Sequence, residues 1–314
     1  MRLLLAILLL LIAAPAQAQQ GQGMSKAMVV SSCGGGALPS GALNQLTMDT
    51  TGRLCQSGIG SNVCAQATAY LARTTGGNEG GNAVNMTALI CGLVTDGVID
   101  GTLTGVAGCG TYLDALYILA QQNVADAKLN LCGTGYTLPT NTATFTAYQG
   151  YSAFPVPAID TGFDPSLSTT KYSTNSGSIS AWAYNLPDDT KAQLRTTANS
   201  VITYLFATLG GSFYCAINNT NDTFIAHANS IGLWGCERSS STNMAFYLNG
   251  ANIGTGTNTA ASNYASHIFL GGGADAYNTT KTISEAHIGG LLGPTRQLAF
   301  YNRLRTYMTA VGVP

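Results

Sequence analysis

Glu285 and His287 stand two positions apart in the stretch TISEAHIGG, in a chain that holds only three Glu and three His. A carboxylate beside an imidazole is the material of general acid–base catalysis, because the pair can hold and pass a proton near neutral pH. Two positions apart on a strand, the side chains share a face and could reach one reacting atom. The same alternation has a plainer meaning. With Ala286 and Ile288 in a core, Glu285 and His287 turn outward to solvent or a partner, and this is the arrangement expected.

Other chemistries leave weaker marks. Glycoside hydrolysis calls for two carboxylates across the scissile bond, and the β-glucanase sandwiches carry theirs as E-x-D-x-E. The chain has no such motif, and Glu79, Glu237 and Glu285 lie far apart. There is no G-x-S-x-G elbow and no cysteine beside a histidine. No catalytic residue is therefore expected. Zinc is disfavoured because no C-x-x-C pair or nearby histidine offers its ligand spacing. Calcium is the one cofactor with candidate ligands: Asp160 and Asp164 in IDTGFDP, and Asp188 and Asp189 in LPDDT. Tyr172, Trp182, Tyr184 and Trp234 are candidates for stacking on sugar rings, with packing as their competing use.

The elements that position these residues read mainly as β. Charged residues make up 9% of the 314-residue chain, with 13 basic against 14 acidic, so no basic surface for nucleic acid is present. Residues 1–18 read as a secretory signal: Arg2, an apolar run, and a small-residue cleavage site ending at Ala18. Residues 19–79 are a Gly/Ser/Thr-rich arm. Residues 80–135 read as a helical connector, with Met86, Leu89, Ile90 and Leu93 on one stripe and Leu113, Leu116, Tyr117, Leu119 and Ala120 on another. From residue 136 short strands follow one another, including SISAWAYNL and a hairpin at MAFYLNGANIG whose Asn249-Gly250 suits positive φ. A closing helix is expected from an N-cap at Thr295 to a stop at Gly312, packing Leu298, Tyr301, Leu304, Met308 and Val311.

Eight cysteines in an exported chain point to disulfides, although eight allow on the order of a hundred connectivities. Short closed loops favour Cys91 with Cys109 and Cys215 with Cys236.

The segments FYLNG, ISEAHIG and AFYNRLRTYMTAVGVP, with LDALYILAQQNVADAKLNL and TFTAYQGYS upstream, resemble tail-type proteins of phages and prophages of alphaproteobacteria. The part from residue 136 is similar to concanavalin A-like jelly rolls of the laminin-G or pentraxin type, on Trp182 to Tyr184, Tyr247 to Gly250 and Ile283 to Ile288. The resemblance implies a non-enzymatic structural or adhesive tail component, with host-surface polysaccharide and other tail proteins as partners and copies acting together as a homotrimer. Glycan contacts would fall to Tyr172, Trp182, Tyr184, Trp234, Glu285 and His287. A secreted bacterial surface adhesin is the first alternative, and a glycan-cleaving enzyme the second.

Overall fold

The computed structural model describes residues 45–48, 54–57, 63–75, 81–106, 108–167, 170–184, 191–196, 201–228, 231–263, 265–274 and 278–314. The expected signal segment, Cys33, Glu79, Asp188 and Asp189 lie outside them. The chain divides into two compact units, Met1–Asn62 and Val63–Pro314. In the first, β1 (Gln45–Met48) pairs antiparallel with β2 (Leu54–Ser57).

The second unit opens with α1 (Ala65–Leu71) and α2 (Gly81–Thr95), then β3 (Leu113–Ile118) and α3 (Val124–Ala127). A run of strands follows: β4 (Thr144–Thr146), β5 (Gly150–Ser152), β6 (Ile159–Asp160), β7 (Gly177–Tyr184), β8 (Leu194–Thr196), β9 (Ile202–Leu209) and β10 (Ser212–Asn219). It continues through β11 (Phe224–Ala226), β12 (Gly232–Arg238), β13 (Asn243–Leu248), β14 (Ala251–Thr257), β15 (Ile268–Leu270) and β16 (Thr282–Gly289) to α4 (Gly293–Val311). These strands form two antiparallel sheets, a mainly β sandwich as expected. The larger runs β14-β13-β12-β7-β16-β5-β4, with β3 also paired to β16, and the smaller runs β11-β10-β9-β8-β15-β6.

Two apolar layers hold the unit together. Between the sheets lie Ile179, Ala181 and Ala183 of β7, Ala286 and Ile288 of β16, and Leu205, Phe213, Trp234 and Phe246. The outer face of the larger sheet is covered by the helices, which bury Trp182, Tyr184, Leu116 and Ile118 beneath Leu89, Leu93, Phe300, Leu304 and Tyr307. The central strands β7 and β16 are consequently buried at every position.

That second layer overturns several expectations. The helix expected over residues 111–132 begins as strand β3, paired to β16 of the larger sheet, so residues 80–135 belong to the same unit as the sandwich rather than forming a separate connector. α1, within the expected arm, buries Ala67 and Tyr70 in the same unit. The expected stripe on α2 holds: Met86, Leu89, Ile90 and Leu93 are all buried. α4 begins at Gly293 with Pro294 in its first turn, ahead of the expected Thr295, and its buried face is Gln297, Phe300, Leu304, Tyr307 and Met308, leaving Leu298 exposed. The Asn249-Gly250 hairpin and the left-handed Gly312 stop are both present.

Among the described residues three disulfides are formed, Cys64–Cys91, Cys109–Cys132 and Cys215–Cys236. The last is the expected pair and joins the two sheets, β10 to β12. The expected Cys91–Cys109 bridge is replaced by two others, because Cys91 on α2 faces the start of α1 while Cys109 faces the chain after β3. No helix among the described residues is long and apolar enough to cross a membrane.

Candidate functional site

The residues that could do acid–base chemistry do come together, but under the closing helix rather than at the surface. β7 lies between β12 and β16, with Ser178 opposite Glu237 and Gly289, and Ser180 opposite Gly235 and His287. Beyond the register shift that follows Ile283, Glu285 and His287 of β16 share with the even-numbered positions of β7 the face that α4 covers. Ser178, Ser180, Glu237, Glu285 and His287 thus form one polar cluster with at most 1% exposure, where solvent-facing side chains were expected for Glu285 and His287. α4 supplies the cover: Phe300 meets the His287 ring edge to face at 5.0 Å.

The hydrogen bonds fix what this cluster can do. Ser178 Oγ donates to the Gly290 carbonyl at 2.7 Å and lies 3.0 Å from His287 Nε2. A hydroxyl has one hydrogen, so with Ser178 donating to Gly290 the ring must donate from Nε2. Ser180 Oγ stands 2.5 Å from Nδ1 and 3.3 Å from Glu285 Oε1, and its single hydrogen can serve only one of them. A hydrolytic triad needs Nε2 free to take the serine proton, whereas here Nε2 is engaged as a donor to Ser178. Glu285 Oε1 stands 3.7 Å from Nδ1. Burial pushes the Glu285 carboxyl above its usual range, with His287 and Ser180 pulling back.

Glu237 has a different task. Its Oε1 accepts from the backbone N–H groups of Leu292 at 2.7 Å and Gly293 at 3.0 Å and from Gln297 Nε2 at 3.0 Å. Leu292, at the N-cap position, has no side chain able to cap, so a carboxylate from β12 satisfies the first turn of α4 and faces the positive end of its dipole. Burial nevertheless raises the Glu237 carboxyl, against the hydrogen bonds from Gln297, Leu292 and Gly293. The cluster fastens α4 to the sheet.

The other expected site residues scatter. Trp182 stacks on Tyr301 at 5.9 Å and donates to the Pro314 carbonyl, Trp234 packs on Phe213 between the sheets, and Tyr172 bonds Thr203 and Asn218. With Tyr184, all four aromatics are at most 5% exposed, which removes them as sugar-stacking surfaces. The sequence pattern missed this because strands covered on both sides bury the aromatics of either face. Asp160 is exposed and pairs with His267 Nδ1 at 2.9 Å, while Asp164 accepts from the Ser166 N–H. Among the described residues no group of three or more His, Cys, Asp or Glu is placed to hold a metal.

A different aromatic face exists, on which Phe224 is exposed, Tyr214 and Phe269 are half-buried, and Tyr204 and Phe206 are buried at 6% and 7%. Leu194, Leu205, Phe213, Ile217, Ile268 and Ile159 point from the smaller sheet into the core, so the alternate residues form its outer face. Asp160, Phe269, Arg195, Tyr204 and Ala216 sit side by side across five strands, and Phe206, Tyr214 and Phe224 form a second row. Tyr214 stacks on Phe224 at 4.7 Å, and Phe224 is 55% exposed. Tyr204 and Phe206 meet edge to face at 4.8 Å, and Tyr204 donates to Asp222 at 2.6 Å. Its phenol is held well above the usual range by burial and by that carboxylate. Tyr204 and Phe206, spaced two apart in ITYLFATL, were the available signal, hidden because β9 is apolar on both faces.

No family model matches the chain, and no curated protein matches it. Among solved structures it is similar to a Trypanosoma rangeli sialidase at 11% identity, over 70% of this chain and 39% of that one, with a TM-score of 0.44. The receptor binding domain of botulinum neurotoxin D gives 11% identity over 61% and 52%, with a TM-score of 0.44. Domain 4 of a GH43 extracellular arabinanase from Geobacillus stearothermophilus gives 12% identity over 60% and 97%, with a TM-score of 0.37. Likeness of this degree assigns neither family nor ligand.

Proposed function

We propose that this protein is an exported, non-enzymatic adhesive module that holds glycan on the outer face of its smaller sheet, as a component of a phage or prophage tail. The ring surface that Phe224, Tyr214 and Phe269 leave accessible on that face carries the reading. A pyranose ring has an apolar C–H side and a rim of hydroxyls; Tyr214, Phe224 and Phe269 offer apolar ring surface, and Asp160, His267, Arg195 and Asp222 lie around it as polar partners. The non-enzymatic part rests on the cluster under α4, whose histidine and carboxylates are sealed from substrate. Export is supported by three disulfides, which persist in oxidising compartments. The placement in a tail rests on the sequence resemblance, and tail genes beside this one in the genome are the expected finding.

A glycan array probed with the full chain tests the reading. Binding should appear and should fall by about tenfold, equivalent to ~1.4 kcal/mol, in Phe224→Ala. Binding that ignores both Phe224→Ala and Tyr214→Ala sinks the assignment to this face. Release of reducing sugar that Glu285→Gln abolishes would make the protein an enzyme.

A further inference from the structure

Among the described residues the two sheets end in five edge strands: β11 and β6 on the smaller, and β14, β4 and β3 on the larger, with β3 covered by the bridge of Tyr117 to Asn130 and the bond from Leu131 N–H to the Leu116 carbonyl. Three of them are two or three residues long, and brevity is one of the ways a protein blunts an edge. β14 has seven residues, Ala251–Thr257. Its outer side pairs with nothing among the described residues: its only neighbour is β13, and the one further bond from its backbone is local, Gly254 N–H to Asn252 Oδ1. Lysine, proline and inward charges are the usual guards of such an edge, yet residues 239–266 contain no Asp, Glu, Lys, Arg or Pro. A bulge at Ile253, where the register with β13 shifts, turns the first residues aside and leaves residues 254–257 regular.

We propose that β14 is a self-association edge, through which two copies of this chain pair antiparallel across a two-fold axis. An unpaired row of backbone donors and acceptors is matched by another extended edge, and a copy supplies an identical one. The uncharged stretch matters because a two-fold axis sets each residue's charge near its own like, and here no charge is brought together. Thr255 and Thr257, both exposed, suit the threonine cross-strand contacts that stabilise antiparallel pairs. At the hairpin end Gly250 lies close to the backbone of α4 at Leu298, whose side chain is exposed. Such pairing closes at two copies, in place of the trimer expected from sequence.

Sedimentation velocity of the full chain at increasing concentration should show a monomer–dimer equilibrium. The double substitution Thr255→Lys with Thr257→Lys should raise the dimer dissociation constant about tenfold or more, because it places like charges opposite one another. Its circular dichroism should match that of the unaltered protein. Amide hydrogen exchange provides a reading free of any variant: protection of residues 251–257 should fall on dilution while that of β13 stays. A monomer at every concentration, a trimer, or a dimer untouched by the lysines overturns the proposal. Edge amides that stay protected in a monomer at all dilutions would assign the edge to this chain's own first unit, and would overturn it too. Glycan binding by the smaller sheet is read separately, since β14 belongs to the larger.

Discussion

Glu237, Glu285 and Asp114 are carboxyl groups held by the fold in surroundings that favour their neutral forms. Asp114 on β3 has no exposure, accepts the N–H groups of Lys171 and Tyr172, and is pushed up to about 6 by burial. A carboxyl whose folded pKa exceeds its unfolded value binds its proton more tightly in the native state. Its contribution is complete below the unfolded value near 4 and is lost as pH rises through the folded value. Stability from urea midpoints should therefore decline between about pH 4 and pH 6, and Asp114→Asn should flatten that slope. Arg238 makes the opposite case, a guanidinium with no exposure whose neighbours are neutral. It donates to the carbonyls of Ile217 at 2.7 Å, Asn258 at 3.0 Å and Ser240 at 3.1 Å, and to the Asn219 side chain. Arg238→Met strands four acceptors, so a loss of about 3 kcal/mol or more is expected in chemical denaturation, with Arg238→Lys recovering part of it.

α4 owes its position to partners outside itself. Its first turn is satisfied by Glu237 of β12, its Tyr307 hydroxyl reaches Asn82 of α2 and the Ala120 carbonyl, and Arg303 forms an ion pair with Asp96 at 2.7 Å. Glu237→Ala should cost about 2 kcal/mol, because two buried N–H groups and Gln297 lose their acceptor, and exchange of the Leu292 and Gly293 amides should rise with it. The hairpin turn is tied to the same helix. Gly250 has φ +76, and a Cβ there would stand 2.8 Å from Tyr301 Cβ and 2.9 Å from Leu298 Cα. Gly250→Val should lower stability by about 2 kcal/mol or more, measured as a fall in the thermal midpoint of the full chain.

At the scale of the molecule, the disulfides and the two apolar layers divide the work. Cys64–Cys91 and Cys109–Cys132 hold the helical side together, and Cys215–Cys236 fixes one sheet to the other. They span 27, 23 and 21 residues, loops of a size for which closure contributes about 3 kcal/mol each. Peptide mapping without reduction should recover these three pairs and no Cys91–Cys109 peptide. The glycan face and the polar cluster lie on separate sheets, so Phe224→Ala should weaken glycan binding without moving the pH profile of stability.

Much of the β part was legible from local signals. Asn249-Gly250 marked its hairpin, Gly312 its helix stop, and the apolar alternation of Ala286 with Ile288 their place in the core, because turn chemistry and period-two patterning act within a few residues. Strand β3 escaped because it is buried on both sides: where every position but Asp114 is apolar, the residues at helical spacing in LDALYI are found whatever the structure. The site was misread for the same reason. Sequence alone determined that Glu285 and His287 share one face of a strand opposite Ala286 and Ile288. Only the tertiary structure decided that this face lies beneath α4 and not in water, and that Phe224 is exposed, stacked on a half-buried Tyr214, while Trp182 and Trp234 are buried. A strand's alternation separates its two faces, but which of them meets solvent depends on what packs against each, and here that is a helix from the end of the chain.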